Sequence, residues 1–423
     1  MNGFPALHHS PSTTWCANLR KLGNNGAMVT SVFEAGWDEA REIVHSLAPM
    51  LDAESISVSE SAYRVLAHDI LALGDMPPFA ASRIDGWAVC GQGPWTAVGD
   101  ITAGHDSTIS LSEGQCSHIA TGAVLPTGAT ACLKDEESLN EDGVVAATHG
   151  AVGILVDGAL PHFHDVRPSG YEAAKGDVLV AHGTTITPGI IGVIAAAGYD
   201  TVEVFRTLTV DILIFGDELL NDGPSRDGKV RDSLGPQLPA WIKQLGATVL
   251  TVRHVEDTLG AHTRAIRETT ADLIVTTGGT AAGPVDHLHQ AIIDCDGDFV
   301  IDAVLVRPGY HQLFAQLPNQ FLLGLPGNPQ SAVIGLLTLA TAFINGSHGV
   351  ALPELATYPV AGDIKGPPRE TRLALCTLRD RTLSPVEYLD SSMLRGFVDA
   401  DGFALIPPGG AQAGDLVRWL NLP

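Results

Sequence analysis

Residues 207–218 read Thr-Leu-Thr-Val-Asp-Ile-Leu-Ile-Phe-Gly-Asp-Glu. Val210 to Phe215 is a nearly continuous apolar run closed by a glycine, the pattern of a strand buried on both faces. Downstream, helical periodicity appears over 238–245, 259–269, 288–293 and 330–343. Between these stretches lie strand-like runs at 248–252, 273–275, 300–306 and 321–323. Strand and helix alternate from 207 to 349, which predicts a doubly wound parallel α/β module.

The flanking sequence has a different texture. Residues 32–72 carry apolar side chains at three- and four-residue spacing and read as helical, ended by Gly74 and Pro77-Pro78. From 79 to 157, short apolar runs (Trp87-Ala88-Val89, Ala131-Cys132-Leu133) alternate with Gly, Pro and Asp turns, predicting an elongated β-rich module. Residues 175–199 continue with strand and a short apolar helix at 189–197. Beyond 350, short strands between Gly/Pro turns predict a small C-terminal β-barrel. The first 27 residues hold no Asp or Glu and are rich in Ser, Thr, Asn, Gly and His. They read as a flexible extension before a start near Met28.

Charge narrows the function classes. Asp+Glu number 48 against 24 Lys+Arg, a net charge of -24, and no Lys/Arg-rich run occurs. Nucleic-acid and anionic-membrane binding both call for a basic footprint, so neither is expected. Six cysteines include no CxxC pair, and neither HExxH nor any other zinc spacing is present, so the cysteines read as reduced and structural in a cytoplasmic protein. His162/His164 and His287/His289 read as surface histidines. The most apolar segment, 331–344, is too short for a membrane span and reads as a buried helix.

Open α/β sheets bind ligands beyond the carboxyl ends of their strands. There the chain carries Gly216-Asp217-Glu218, then Thr277-Gly278-Gly279-Thr280 running on to Gly283 and Asp286, then Gly324-Leu325-Pro326-Gly327-Asn328-Pro329. Two of these are Gly-rich turns leading into helices, where bare backbone N–H groups hold an anion without lysine. Carboxylates at the same edge can hold Mg2+ against phosphate oxygens. Neither a Walker loop nor a GxGxxG fingerprint occurs there.

Seven segments, in order, resemble the molybdopterin molybdenumtransferase family. They are Ser82-Arg83-Ile84-Asp85-Gly86-Trp87-Ala88, Ile119 to Ala129, Val166 to Gly170, Gly216 to Leu219, Gly278-Gly279 with Gly283 and Asp286, Arg307-Pro308-Gly309, and Gly324 to Pro329. The resemblance implies insertion of molybdate into adenylylated molybdopterin with Mg2+-dependent release of AMP, by a homodimer. It implies a molybdopterin adenylyltransferase or a molybdoenzyme as protein partner. The implied domains are 32–78 plus 158–206, 79–157, a molybdopterin-binding α/β domain at 207–349, and 350–423. Carried over residue by residue, it implies catalytic roles for Asp85, Glu218, Asp286 and Arg307 and metal binding by Asp217 and Glu218. Substrate contacts would come from Thr121, Glu172, Asp232, Gly278, Gly279, Gly283, Pro326, Gly327, Asn328 and Pro329.

The chain also departs from that pattern. The family's K-P-G-K-P reads Arg307-Pro308-Gly309-Tyr310-His311; its serine after the G-G turn is Ala281, and its D-x-N ends in Leu234. Phe215 stands for a threonine, Arg83 for a small residue, and Gly170-Tyr171-Glu172 for G-E-D. The acidic set is kept and the anion pocket is remodelled, which leaves a non-catalytic relative that binds a pterin or nucleotide, or acts as a scaffold, as the alternative. On sequence alone, Arg307 supplies most of the positive potential. Molybdate binding should be weak at neutral pH and improve towards a pH of about 6 as His311 protonates. Tyr310→Lys should tighten it about ten- to a hundred-fold.

Overall fold

The computed structural model describes residues 19–21, 28–105, 108–148, 155, 158–280, 287–387 and 390–423. The chain forms two compact units, one of residues 1–53 with 205–423 and the other of 54–204.

The first unit is built on helix α1 (Trp37–Leu47) and a six-stranded sheet. In chain order its elements are β1 (Thr209–Phe215), α2 (Leu234–Gln244), β2 (Thr248–Val255), α3 (Leu259–Arg267), β3 (Leu273–Thr277), α4 (Leu288–Asp294), β4 (Asp298–Asp302), β5 (Leu313–Gln316), β6 (Phe321–Leu325) and α5 (Pro329–Ser347). The strand order is β2-β1-β3-β6-β5-β4. The β2, β1, β3 and β6 strands are parallel, as their apolar runs predict. Alternate side chains of β1 fill two cores. Val210, Ile212 and Ile214 pack with α1, α2 and α5, whereas Leu213 and Phe215 pack with α3 and α4. The acid within the run, Asp211, is buried and accepts a 2.6 Å hydrogen bond from Thr251.

Four expectations change here. The β5 strand is not anticipated from the sequence, and it runs antiparallel to both of its neighbours, β4 and β6. Only residues 317–320 separate β5 from β6, and a parallel crossover needs about a dozen or more. The run 300–306 is two strands rather than one. It breaks at Ala303, where φ is 121°, and Val306–Arg307 leaves the sheet to pair with Thr371–Arg372. Helix in 32–72 is confined to α1 and one 3-10 turn at Val58–Glu60; α1 starts after Gly36, whose N–H donates to Glu39, and stops before Pro49. The segment that follows forms a strand, Ala53–Ser57, which pairs with Thr201–Phe205. Finally, Leu19–Lys21 of the expected extension pairs antiparallel with Met28–Thr30.

The α5 helix carries a π-helical turn at Leu336–Ala340. It is long and apolar enough to cross a bilayer, but its most apolar window is 83% buried in the core. In the C-terminal region, strands Thr357–Pro359, Leu416–Asn421, Gly402–Ile406, Thr371–Arg379 and Thr382–Pro385 pair in succession, and a Val360–Leu383 bridge closes them into a small barrel. Ala374, Cys376, Ala404 and Ile406 fill the barrel. Leu373, Leu375, Phe403 and Leu405 face outward into the main α/β core.

The second unit centres on a six-stranded sheet in the order Ser138–Glu141, Val144–Ala147, Trp95–Ile101, Gln115–Ile119, Gly86–Val89 and Ala131–Lys134. It also holds the helix Pro188–Ala196, which the side chain of Thr187 caps.

Candidate functional site

The three loops read from the sequence converge at the carboxyl edge of β1, β3 and β6. The Gly278 N–H donates to the Leu325 carbonyl at 2.9 Å, tying the β3 loop to the end of β6. Gly278 has a φ of 83°, and a Cβ there would lie 3.2 Å from the Phe215 carbonyl oxygen, so its backbone abuts β1. Gly279 follows, also at positive φ. A Cβ on Gly327 would sit 3.9 Å from the Gly278 Cα, which places the Pro326–Pro329 turn against the glycine pair. Pro329 is the first residue of α5 and Asn328 its N-cap. The Gln330 N–H of α5 donates to the Ser391 carbonyl at 3.0 Å and Pro329 has none, so among the described residues the N–H groups this edge leaves unused include those of Gly279, Gly327 and Asn328. Gly283 and Asp286 lie outside the described residues.

Asp217 and Glu218 stand exposed beside this edge, and no Lys, Arg or His lies within ion-pair distance of either carboxylate among the described residues. Asp217 Oδ1 accepts the Asp257 N–H at 3.3 Å, and the Lys229 ammonium goes to the Asp217 backbone carbonyl instead. The Glu218 carboxylate folds back over Gly216, where a Cβ would come within 2.7 Å of it. Two carboxylates free of counter-ions suit a hard divalent cation that keeps several waters.

Asp232 is placed differently from the substrate-contact position expected of it. It is buried, and Oδ1 accepts the Leu234 and Gly235 N–H groups at 2.9 and 3.0 Å, capping α2. Oδ2 lies 2.9 Å from His254 Nε2. Both carboxylate oxygens are thus committed to protein partners.

Beneath the loops sits a residue that sequence reading missed. His262 of α3 is fully buried and stacks on Phe215 with ring centroids 3.7 Å apart. Its Nε2 is 3.2 Å from Asp257 Oδ1 without hydrogen-bond geometry, and neither ring nitrogen has a hydrogen bond among the described residues. Burial, and then the neighbouring His287, push its pKa down to about 4.

The Arg307 loop lines a second cavity, of about 360 Å³, with Pro326 and Asn328 of the same turn and with Ser331, Arg372 and Ser391. Arg307 donates to Glu370 at 3.3 Å and its guanidinium lies 5.1 Å from the Tyr310 ring centroid. Arg372 stands beside Arg307 in the strand register and donates to the Lys365 carbonyl. No carboxylate lies within ion-pair distance of Arg372 among the described residues, although Asp390 lines the same cavity. Arg307 is therefore not the sole cation of this pocket. Arg372 is distant in sequence, and only the pairing of Val306–Arg307 with Thr371–Arg372 reveals it.

Tyr310 donates to Glu34 Oε1 at 2.5 Å. Burial, reinforced by that carboxylate, raises its pKa to about 12. The gain expected from Tyr310→Lys shrinks accordingly, because the new ammonium meets Glu34 before it meets a ligand. Molybdate titration should show a change of no more than about threefold for Tyr310→Lys, as for a partly exposed ion pair. Tightening should reappear when Glu34→Gln is added.

In the second unit, the exposed Asp85 accepts the Thr121 N–H at 2.7 Å. This bond first of all holds the Asp85 carboxyl below the usual carboxylate range. The two segments carrying these residues, far apart in sequence, thus meet. Glu172 lines a separate cleft of about 720 Å³ with Arg167 and Tyr171.

Known proteins resemble the whole of this arrangement. Family profiles described as MoeA N-terminal region (domain I and II), probable molybdopterin binding domain, and MoeA C-terminal region (domain IV) match residues 36–198, 211–345 and 357–422. The chain is 29% identical over 410 residues to the molybdopterin molybdenumtransferase of Bacillus subtilis, covering 90% of this chain and 93% of that one. It is 28% identical over 384 residues to that of Staphylococcus epidermidis, covering 86% and 90%. Two structures of a molybdopterin biosynthesis MoeA protein from Pyrococcus horikoshii share the fold, with TM-scores of 0.77 and 0.76 at 22% and 18% identity. They cover 92% and 91% of this chain and 99% of their own.

Proposed function

The chain belongs to the molybdopterin molybdenumtransferase family, and from that premise we propose that it inserts molybdate into molybdopterin delivered as an adenylylated ester, with release of AMP. One observation carries this reading. The Pro326–Pro329 turn touches the Gly278 backbone on one side and lines the Arg307–Arg372 cavity on the other. Two candidate anion-binding places thus share one wall, so the ester's phosphates and an oxyanion can be held side by side.

In this reading the Gly279, Gly327 and Asn328 N–H groups hold the ester's phosphates while Gly278 and Pro326–Pro329 shape the turns that present them, and Arg307 and Arg372 hold molybdate, the second substrate. Asp217 and Glu218 would hold Mg2+, which when bound neutralises phosphate charge. Asp85, pinned by Thr121, stays ionised and acts from the second unit, in a homodimer. Asp286 and Gly283 complete the phosphate loop. Asp232 serves the site indirectly, by fixing the start of α2.

The purified protein should release AMP from adenylylated molybdopterin only when Mg2+ and molybdate are both supplied, with formation of the molybdenum-loaded cofactor. Absence of molybdate-dependent AMP release would overturn the reading. One observation favours a second, binding-only reading: the position of a family lysine is taken by Tyr310, whose hydroxyl is turned onto Glu34. Ester bound without turnover under the same conditions would establish it.

A further inference from the structure

Two departures from the family pattern, Arg83 and Tyr171, lie far apart in sequence and touch in space. The Arg83 guanidinium lies 5.0 Å from the Tyr171 ring centroid. The ring is 65% exposed and lines the cleft of about 720 Å³ formed by the 74–78 turn, the 167–172 loop and the end of the Pro188–Ala196 helix. Met76, Pro77, Pro78, Ala196 and Ala197 give the cleft apolar walls. The exposed Glu172 carboxylate makes no hydrogen bond or ion pair among the described residues. Neither Arg83 nor Arg167 has a carboxylate within ion-pair distance among those residues. That is notable in a chain where acids outnumber bases 48 to 24.

These groups form a chemically selective set. An exposed aromatic face between apolar walls stacks a flat ring. An ionised carboxylate only accepts, so it favours an edge presenting two adjacent N–H donors. Unpaired guanidiniums suit a phosphate. The 2-amino-4-oxopyrimidine edge of a pterin has those donors and guanine shares it, whereas adenine does not. Asp75 lines the cleft too, but its Oδ1 already takes the Lys175 N–H at 3.0 Å.

We propose that this cleft is a further pterin-phosphate subsite, separate from the loops that hold the ester's phosphates in the reading above, with the ring stacked on Tyr171, its amino edge on Glu172 and its phosphate on Arg83 and Arg167. The choice of pterin over guanine rests on the molybdopterin reading above; the edge chemistry does not.

Fluorescence anisotropy with neopterin monophosphate tests it on the full-length protein, with GMP, AMP and inorganic phosphate as competitors. Neopterin monophosphate should bind, and AMP and phosphate should compete at least about tenfold less well. Tyr171→Ala should weaken binding about five- to a hundred-fold and Tyr171→Phe should restore it. Glu172→Gln should cost roughly tenfold or more. Unchanged affinity in Tyr171→Ala and Glu172→Gln would overturn the proposal, as would phosphate competing equally. GMP binding more tightly than the pterin would make the cleft a guanine site and also overturn it. The two readings can fail separately. Loss of molybdate-dependent AMP release with Tyr171-dependent pterin binding intact sinks the insertase alone. AMP release with pterin binding indifferent to Tyr171 and Glu172 sinks the cleft alone.

Discussion

Lowering the pH from 7 to 4 should cost the folded protein roughly 3 kcal/mol through His262 alone. Its folded pKa is about 4, against an ordinary value of 6.5. The unfolded chain therefore takes up this proton near pH 6.5, while the folded chain resists it until near pH 4. The contribution is complete above about pH 6.5, declines through the window and is gone below about pH 4. The cause is physical: a ring stacked on Phe215, out of water, with neither nitrogen in a hydrogen bond among the described residues. Urea unfolding at pH 7, 5.5 and 4.5 checks it on wild type and His262→Leu. Carboxylates such as Asp272, which is held below its usual range, also titrate near the acid end, so the difference between the two proteins isolates His262. Wild type should lose stability faster than the variant, and parallel curves would refute the assignment.

The largest expected loss of activity belongs to the carboxylate pair. Asp217→Asn with Glu218→Gln should reduce AMP release at least about a hundredfold, the scale on which removing a cation's transition-state charge stabilisation acts. The same pair should leave unfolding free energy within about 0.5 kcal/mol, because both side chains are exposed and neither is ion-paired among the described residues. Binding of Mg2+, followed by titration calorimetry, should disappear in parallel. Retained Mg2+ affinity would place the cation elsewhere.

Much of this was legible in the chain because local patterns and tertiary demands agree. A strand buried on both faces must be apolar throughout, and 210–215 is, so β1 and its parallel neighbours declare themselves. Gly278 had to be glycine for its backbone to lie against β1, and it stands out for that reason. What escaped is governed by long-range pairing. Leu313–Gln316 is a run of only four residues, and the Pro318-Asn319 turn that folds it back on β6 is its one local mark. Arg372 joins the Arg307 cavity only because Val306–Arg307 crosses to another sheet. Asp232 carries a family motif, yet the local need to cap α2 claims its carboxylate. His262 gave no signal at all, since nothing in its neighbours along the chain shows that Phe215 lies beneath it.

The barrel at the end of the chain has two greasy sides. Leu373, Leu375, Phe403 and Leu405 point away from its own filling and into the α/β core, and Val306–Arg307 extends its edge from the other direction. Sequence families divide the chain between 345 and 357, but physically no seam exists there. A chain cut at 349 would bare the apolar flank that these four side chains cover and leave Arg307 without its neighbouring strand. The C-terminal region is thus not a removable module, and the two sheets should melt in a single cooperative step.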